Sequence, residues 1–103
     1  MMSYKKLPPI ISIDFIDNAI ITCTFELDWH QDDIASLKNS LINVIGEVTE
    51  VEHIIGADRE NIRFVWQGHY FILNFECVSQ SCWIEGDDLA GIENIDQLYS
   101  SIT

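Results

Sequence analysis

Hydrophobic and polar residues alternate in the first part of the chain, and this period of two predicts a pair of β-strands. A three-residue loop at 17–19 would bring every apolar side chain of the two strands to one face, whereas a two-residue loop would mix the faces. The sequence therefore predicts an amphipathic hairpin. Its expected apolar pairs are Phe15 with Ile21, Ile13 with Cys23 and Ile11 with Phe25.

The next segment changes to the spacing of a helix. Apolar residues recur every three or four positions and predict one buried helical stripe, formed by Ile34, Leu37, Leu41, Ile42 and Ile45. Asp32 is the predicted N-cap, and Gly46 is expected to end the helix. Residues 48–55 fit either a helix or a strand, and their β-branched content favours a strand.

Residues 61–78 carry the clearest strand pattern. A two-residue turn at Gly68-His69 would produce one wholly apolar face, with Trp66 opposite Phe71, Phe64 opposite Leu73 and Ile62 opposite Phe75. A further short strand, residues 82–85, would fold back through Ser79-Gln80. In that register Cys77 lies opposite Cys82, and Phe75 lies opposite Ile84.

A second helix is predicted to start at Asp87 or Asp88, with Leu89, Ile92, Ile95, Leu98, Tyr99 and Ile102 facing inward. The elements add up to a single α+β domain over residues 1–103, and residues 1–8 are expected to form a flexible tail. We predict one mainly antiparallel sheet of five to six strands with two helices packed on one face, in the order ββα-(β)βββ-α.

The charge of the chain narrows its possible partners. Seventeen acidic residues face five basic ones, the formal net charge is -12, and no Lys or Arg follows Arg63. Such a surface repels phosphate backbones and anionic membranes, so we expect binding to neither nucleic acid nor membrane. A basic protein partner is compatible with this charge.

The compartment is predicted from the cysteines and the N-terminus. The three cysteines fit a reducing compartment better than a disulfide framework. Pro8-Pro9 and Asp14 interrupt the only N-terminal apolar run, which argues against a signal peptide. We expect a cytoplasmic protein that is a monomer or a homodimer.

The segment Gln80-Ser81-Cys82-Trp83 is similar to the nucleophile segment of papain-like proteases. Such a nucleophile needs a His to deprotonate it, and in that family the His lies far downstream of the Cys. No His follows Cys82 in this chain. We therefore interpret Cys82 as a core thiol, with a Cys77–Cys82 disulfide as an alternative role.

Other chemical groups give weak signals. His30 lies among Asp28, Asp32 and Asp33, but a helix start explains these carboxylates without a metal. Glu76 and Glu85 are predicted to lie diagonally across two strands, where paired carboxylates could perform acid–base chemistry. We predict no cofactor and no metal, and keep a small enzyme or metal-binding domain using Cys82, His30 or the Glu76–Glu85 pair as an alternative.

The sheet face that points away from the helices is the predicted binding surface. Its composition, aromatic residues and one Arg among acids, is typical of interaction surfaces. The candidate residues are Trp83, Tyr70, Ile72, Val65, Arg63, Glu76 and Glu85.

Four short segments resemble a small family of uncharacterised bacterial domains. They are Gly56-Ala57-Asp58-Arg59, Phe64-Val65-Trp66-Gln67-Gly68, Leu73-Asn74-Phe75-Glu76 and Ser81-Cys82-Trp83-Ile84-Glu85. The resemblance spans about residues 56–85 and implies a stand-alone bacterial cytoplasmic domain. No functional residue carries over from it.

Three functional classes follow from the sequence. The favoured one is a non-catalytic interaction module that binds or inhibits a basic protein. The alternatives are the small enzyme or metal-binding domain, and a homodimeric structural module joined through the exposed sheet face.

Overall fold

The computed structural model describes residues 9–102, so the predicted flexible tail, residues 1–8, lies outside the described residues. The elements follow one another along the chain as β1 (Ile10–Ile16), β2 (Ile20–Phe25), a 3-10 turn (Gln31–Asp33), α1 (Ile34–Ile45), β3 (Val48–Ile55), β4 (Arg59–Trp66), β5 (His69–Glu76), β6 (Ser81–Gly86) and α2 (Leu89–Ile102). Residues 48–55 thus form a strand, as their β-branched content predicts.

The six strands form one antiparallel sheet in the order β1-β2-β6-β5-β4-β3. The N-terminal hairpin joins the sheet through β6, which lies between β2 and β5. The buried side chains of both helices belong to one core cluster with the inward side chains of the sheet, so both helices lie on the same face. The predicted α+β architecture is confirmed.

The core forms where the helices cover the sheet. Phe64, Phe71 and Phe75 are almost fully buried, and each buried side chain of this size contributes about 1.5–3 kcal/mol relative to an exposed one. The helices supply the opposite side of the core, through Ile34, Leu37, Leu41 and Ile45 of α1 and Ile95 and Leu98 of α2.

The first hairpin has the predicted three-residue loop, with Ile13 opposite Cys23 and Phe15 opposite Ile21. One predicted pair is wrong. A bulge between Ile10 and Ser12 places Ile10 opposite Phe25, so Ile11 is 60% exposed. A bulge inserts one extra residue into a strand. The hydrophobic pattern does not reveal its position, because the strand segments on both sides of the bulge keep their period of two.

The turn between β4 and β5 is Gln67-Gly68, not Gly68-His69. Both residues have positive φ, 49° and 77°, as a type I′ turn requires. Trp66 therefore pairs with His69, and Phe64 pairs with Phe71. The predicted register is wrong by two residues, but a shift of two leaves every side chain on its predicted face.

The register between β5 and β6 is also shifted by two residues from the prediction. Phe75 lies opposite Cys82, and Leu73 lies opposite Ile84. The connecting loop covers residues 77–80, so Cys77 lies in the loop and is not opposite Cys82. The predicted Cys77–Cys82 cross-strand pair is therefore wrong.

The helix starts differ from the prediction for α1 and agree with it for α2. Before α1, the Asp33 carboxylate accepts a hydrogen bond from the backbone N–H of His30 at 2.8 Å. The predicted N-cap, Asp32, is exposed. At the start of α2, the Asp88 carboxylate accepts a hydrogen bond from the backbone N–H of Gly91 at 2.7 Å. Asp88, one of the two residues predicted to start α2, thus caps this helix.

Two residues predicted to face inward on α2, Leu89 and Ile92, are 70% and 57% exposed. The reason is the close approach of Gly91 to the sheet. A Cβ added at Gly91 would lie 2.1 Å from the carbonyl oxygen of Tyr70, so this turn of the helix packs by its backbone. With Gly91 facing the sheet, the neighbouring Leu89 and Ile92 point to solvent.

This contact predicts the effect of one methyl group. Gly91→Ala should lower the free energy of unfolding by about 1–3 kcal/mol, because helix and sheet backbones must separate to admit the Cβ. Urea denaturation measures the change. Gln97→Ala, at an exposed position of the same helix, is the matched control and should change stability by less than about 0.5 kcal/mol. Equal stability of the two variants would contradict the close approach.

Candidate functional site

The sheet surface opposite the two helices is the candidate site, and we call it the open face. All seven residues predicted from the sequence lie on it: Arg63, Val65, Tyr70, Ile72, Glu76, Trp83 and Glu85. They are partly exposed, and within residues 9–102 both helices pack on the other side of the sheet. The alternation of the strands therefore places an apolar and aromatic centre among charged side chains on an uncovered surface.

The centre of the open face is fixed by a buried asparagine. Asn74 is only 3% exposed, although it lies on the outward side of β5. Its side-chain oxygen accepts a hydrogen bond from the Asn61 amide at 2.6 Å, and its own amide donates to the Glu85 carboxylate at 3.3 Å. Trp83 is the cross-strand neighbour of Asn74, so this hydrogen bond holds Glu85 close to Trp83. The alternation along β5 puts Asn74 on this face, and nothing in the sequence indicates its burial.

Arg63 is held in place beside Ile72 on the open face. Its Nε donates to the Asp87 carboxylate at 2.7 Å, and the Glu52 carboxylate lies 3.7 Å from its Nη1. The guanidinium carbon lies 6.0 Å from the ring centre of Tyr70, within cation–π range. The hydrogen bond to Asp87 raises the pKa of Arg63, so its charge is permanent and locally neutralised.

Glu76 and Glu85 do not form a catalytic pair. Glu85 pairs with Ile72, four positions before Glu76 on β5, so the two carboxylates lie about 13 Å apart along the strand direction. They also have different partners. Glu76 bonds to Arg59 and to the Ser79 hydroxyl, and the bond from Arg59 lowers the pKa of Glu76.

Every Lys and Arg in the described residues forms an ion pair with a carboxylate. Lys38 contacts Glu50, Arg59 contacts Glu76, and Arg63 contacts Asp87. The remaining carboxylates are therefore not offset by cations elsewhere on this part of the chain. The surface of the described residues therefore carries an excess of negative charge.

A cleft opens on the open face where β2 and β6 stop pairing. Their ladder consists of Ile20–Glu85, Ile21–Ile84 and Thr22–Trp83 and ends there. Beyond Thr22 and Trp83 lies a hollow of about 350 Å³, which we call the β2–β6 cleft. It is lined by Ile20, Thr22, Cys23, Thr24, Gln80, Ser81, Cys82 and Trp83.

Gln80 lies at the end of this cleft and holds the segment that follows β2. Its side-chain oxygen accepts a hydrogen bond from the backbone N–H of Trp29 at 2.9 Å, and its amide donates to the Trp29 carbonyl at 2.8 Å. One glutamine thereby satisfies both backbone groups of Trp29, as a neighbouring strand would. The side chain of Trp29 is buried against Phe75, which fixes the segment from inside.

Cys82 is a core thiol, as the sequence indicates. It is 3% exposed at the floor of the β2–β6 cleft, and its thiol contacts that of Cys23. Burial raises the pKa of Cys82 well above its ordinary value, which suppresses the thiolate that a nucleophile requires. The contact with Cys23 was not predicted, because it depends on β6 lying beside β2.

His30 and Cys77 line a second hollow of about 410 Å³, together with Asp28, Asp58 and Gln80. Burial and the nearby Asp58 carboxylate raise the pKa of Cys77. Within the described residues, no group of three His, Cys, Asp or Glu side chains has the arrangement of a metal site. His30 and Cys82 also line different hollows, so the structure does not bring them together in one site.

The burial of Cys82 and the partial exposure of Cys77 predict different losses of stability when each is substituted. Cys82→Ser should lower the free energy of unfolding by about 1–2 kcal/mol because it buries a hydroxyl, and it should leave function intact. Cys77→Ser, in the partly exposed loop, should cost less. Urea denaturation gives both values. A folded Cys82→Ser variant that has lost function would support the nucleophile interpretation instead.

Comparison with known proteins assigns the chain to a family. Over residues 10–102 the chain matches the family described as protein of unknown function (DUF3630), far beyond the segments that carry the resemblance in the sequence. No curated protein and no solved structure matches it. None of the described helices is long and apolar enough to cross a membrane. Because the match covers nearly the whole chain, this protein belongs to the DUF3630 family of proteins of unknown function.

Proposed function

We propose that this chain is a non-catalytic interaction module that binds a basic protein through the open face. The observation that carries the proposal is the uncovered sheet surface with Trp83, Tyr70 and Ile72 at its centre and carboxylates around them. Aromatic residues surrounded by polar groups are the composition of interfaces with a few dominant anchors. The reducing, cytoplasmic environment expected from the cysteines fits such a role.

The size of the open face supports a specific interface. Six strands about 4.8 Å apart and up to eight residues long span roughly 24 Å by 26 Å. That planar area, roughly 600 Å², lies near the ~800 Å² that each partner buries in a standard complex, and the corrugated side-chain surface exceeds its planar projection.

Charge favours a basic partner over a second copy of the chain. Asp14, Glu52 and Glu85 point from the open face, and two copies stacked face to face would bring such carboxylates together. A basic protein instead gains from electrostatic steering and from complementary charge at the interface.

The sheet edges also disfavour self-association by strand pairing. Each of the two edge strands, β1 and β3, contains a bulge. β3 adds Glu50 and Glu52, and β1 adds Asp14. Bulges and charges are the usual means by which sheet edges avoid pairing with another chain. The open face is therefore the surface that the fold leaves for an interaction.

The proposal predicts the outcome of an affinity capture. The wild-type chain should retain a basic protein that elutes as ionic strength rises, because screening weakens exposed charge pairs. The bait Trp83→Ala should retain much less of it. The matched bait Leu89→Ala removes a more exposed apolar side chain from α2, away from the open face, and should retain the wild-type amount. Equal capture by all three baits would contradict the proposal.

Trp83→Ala should weaken binding more than it weakens folding. A central interface tryptophan typically costs at least about 2 kcal/mol of binding free energy when truncated. Partial exposure of Trp83 limits its contribution to stability. Calorimetry with the captured partner and urea denaturation measure the two losses. If the loss in unfolding free energy is the larger, Trp83 is a core residue and its assignment to the binding surface is wrong.

A further inference from the structure

The β2–β6 cleft has the position and size of an anchor pocket. It lies directly beside Trp83, and its volume of about 350 Å³ is at the lower end of the roughly 300–1,000 Å³ of ligand pockets. Dominant interface residues insert into such pockets near the centre of an interface. A cleft of this size has room for one side chain of a bound partner.

The cleft is preformed by the strand framework. One wall is the end of β2, which β1 holds through the pairs Ser12–Thr24 and Ile13–Cys23. The other wall is the start of β6, which β5 holds through the pairs Glu76–Ser81 and Phe75–Cys82. Gln80 closes the end through its two hydrogen bonds to Trp29. A partner side chain would therefore enter without a folding cost for the walls.

The lining is uncharged and rich in hydrogen-bond acceptors. The Thr22 hydroxyl lies 3.5 Å from the Asp14 carbonyl, to which it donates, and its lone pairs remain able to accept. Thr24 and Ser81 add two more hydroxyls. The Trp83 indole forms part of the same lining, and aromatic rings attract cations to their faces.

The charges around the cleft are negative. Asp14 of β1 lies opposite Thr22 of β2, and Glu85 of β6 lies opposite Ile20 of β2. The nearest arginine across the sheet, Arg59, is engaged by Glu76. An acidic side chain would meet repulsion from these carboxylates, whereas a cationic one would be attracted.

We infer that the β2–β6 cleft is the anchor pocket of the open face and that it receives an arginine side chain of the basic partner, an inference that rests on the proposed function. A guanidinium group is planar, so it can stack on the Trp83 indole, and its five N–H donors can serve several hydroxyls at once. A lysine ammonium presents only three donors from one point and stacks less well. The geometry of the cleft therefore selects arginine over lysine.

The test is an NMR titration of the full chain, labelled with ¹⁵N, with three peptides: N-acetyl tetra-arginine amide, tetra-lysine amide and tetra-glutamine amide. Tetra-arginine should shift the amide signals of Thr22, Thr24 and Ser81 and the indole N–H signal of Trp83. Tetra-lysine should bind at least threefold more weakly at these signals. Tetra-glutamine should leave them unchanged at the same concentration.

A pair of isosteric variants locates the binding. Thr24→Val removes a cleft hydroxyl and should weaken tetra-arginine binding at least threefold. Thr49→Val makes the same change at an exposed position of β3, opposite Val65, and should leave the affinity unchanged. Both variants keep the shape of the side chain, so urea denaturation should give matched stabilities.

Three results would overturn the inference. They are tetra-arginine shifts that leave the cleft signals unmoved, equal weakening by Thr24→Val and Thr49→Val, and cleft binding of tetra-lysine as tight as that of tetra-arginine. None of these affects the proposed function if Trp83→Ala still loses the captured partner while Thr24→Val keeps it. Failure of the proposed function shows instead as capture that is insensitive to Trp83→Ala.

Discussion

Two helices cover one face of a six-stranded sheet, and this one-sided packing determines the rest of the molecule. The inward face buries Phe64, Phe71 and Phe75 under α1 and α2, which drives folding. The outward face receives no such cover from the described chain. Water therefore reaches its exposed polar side chains, whereas the buried Asn74 is satisfied within the face by Asn61 and Glu85.

The excess of acid has a structural consequence beyond solubility. Each lysine and arginine of the described chain is held by a carboxylate of the same molecule, so local pairing consumes the few cations available. Carboxylates without a Lys or Arg partner among the described residues, such as Asp14 and Glu85, therefore remain on the open face and around the β2–β6 cleft. The proposed interaction uses this arrangement, because an apolar aromatic centre among carboxylates complements apolar and basic groups that lie close together.

The sequence predicted which residues share a face, but it did not predict how the strands align. A period of two survives a register shift of two residues, so the pattern alone cannot distinguish the register with Phe64 opposite Leu73 from the observed one with Phe64 opposite Phe71. The turn at Gln67-Gly68 decides between them. Type I′ geometry places positive φ at both turn residues, and glutamine gives no local indication that it adopts this conformation.

The sequence predicts which residues share the open face, but it does not predict the details of that surface. All seven predicted surface residues lie on the open face, because alternation is a local property of each strand. The β2–β6 cleft and the Cys23–Cys82 contact depend on β6 lying between β2 and β5, which is a property of the chain as a whole. The exposure of Leu89 and Ile92 likewise follows from a backbone contact of Gly91 with a distant strand.

Tryptophan fluorescence can show whether the open face is uncovered in solution. Trp29 and Trp66 are buried in the core, whereas Trp83 lies on the open face and is partly exposed. Acrylamide quenching of the free protein should reveal one accessible tryptophan, and Trp83→Phe should abolish that component. Quenching of the wild type as weak as that of Trp83→Phe would instead mean that the open face is already covered and unavailable to a partner.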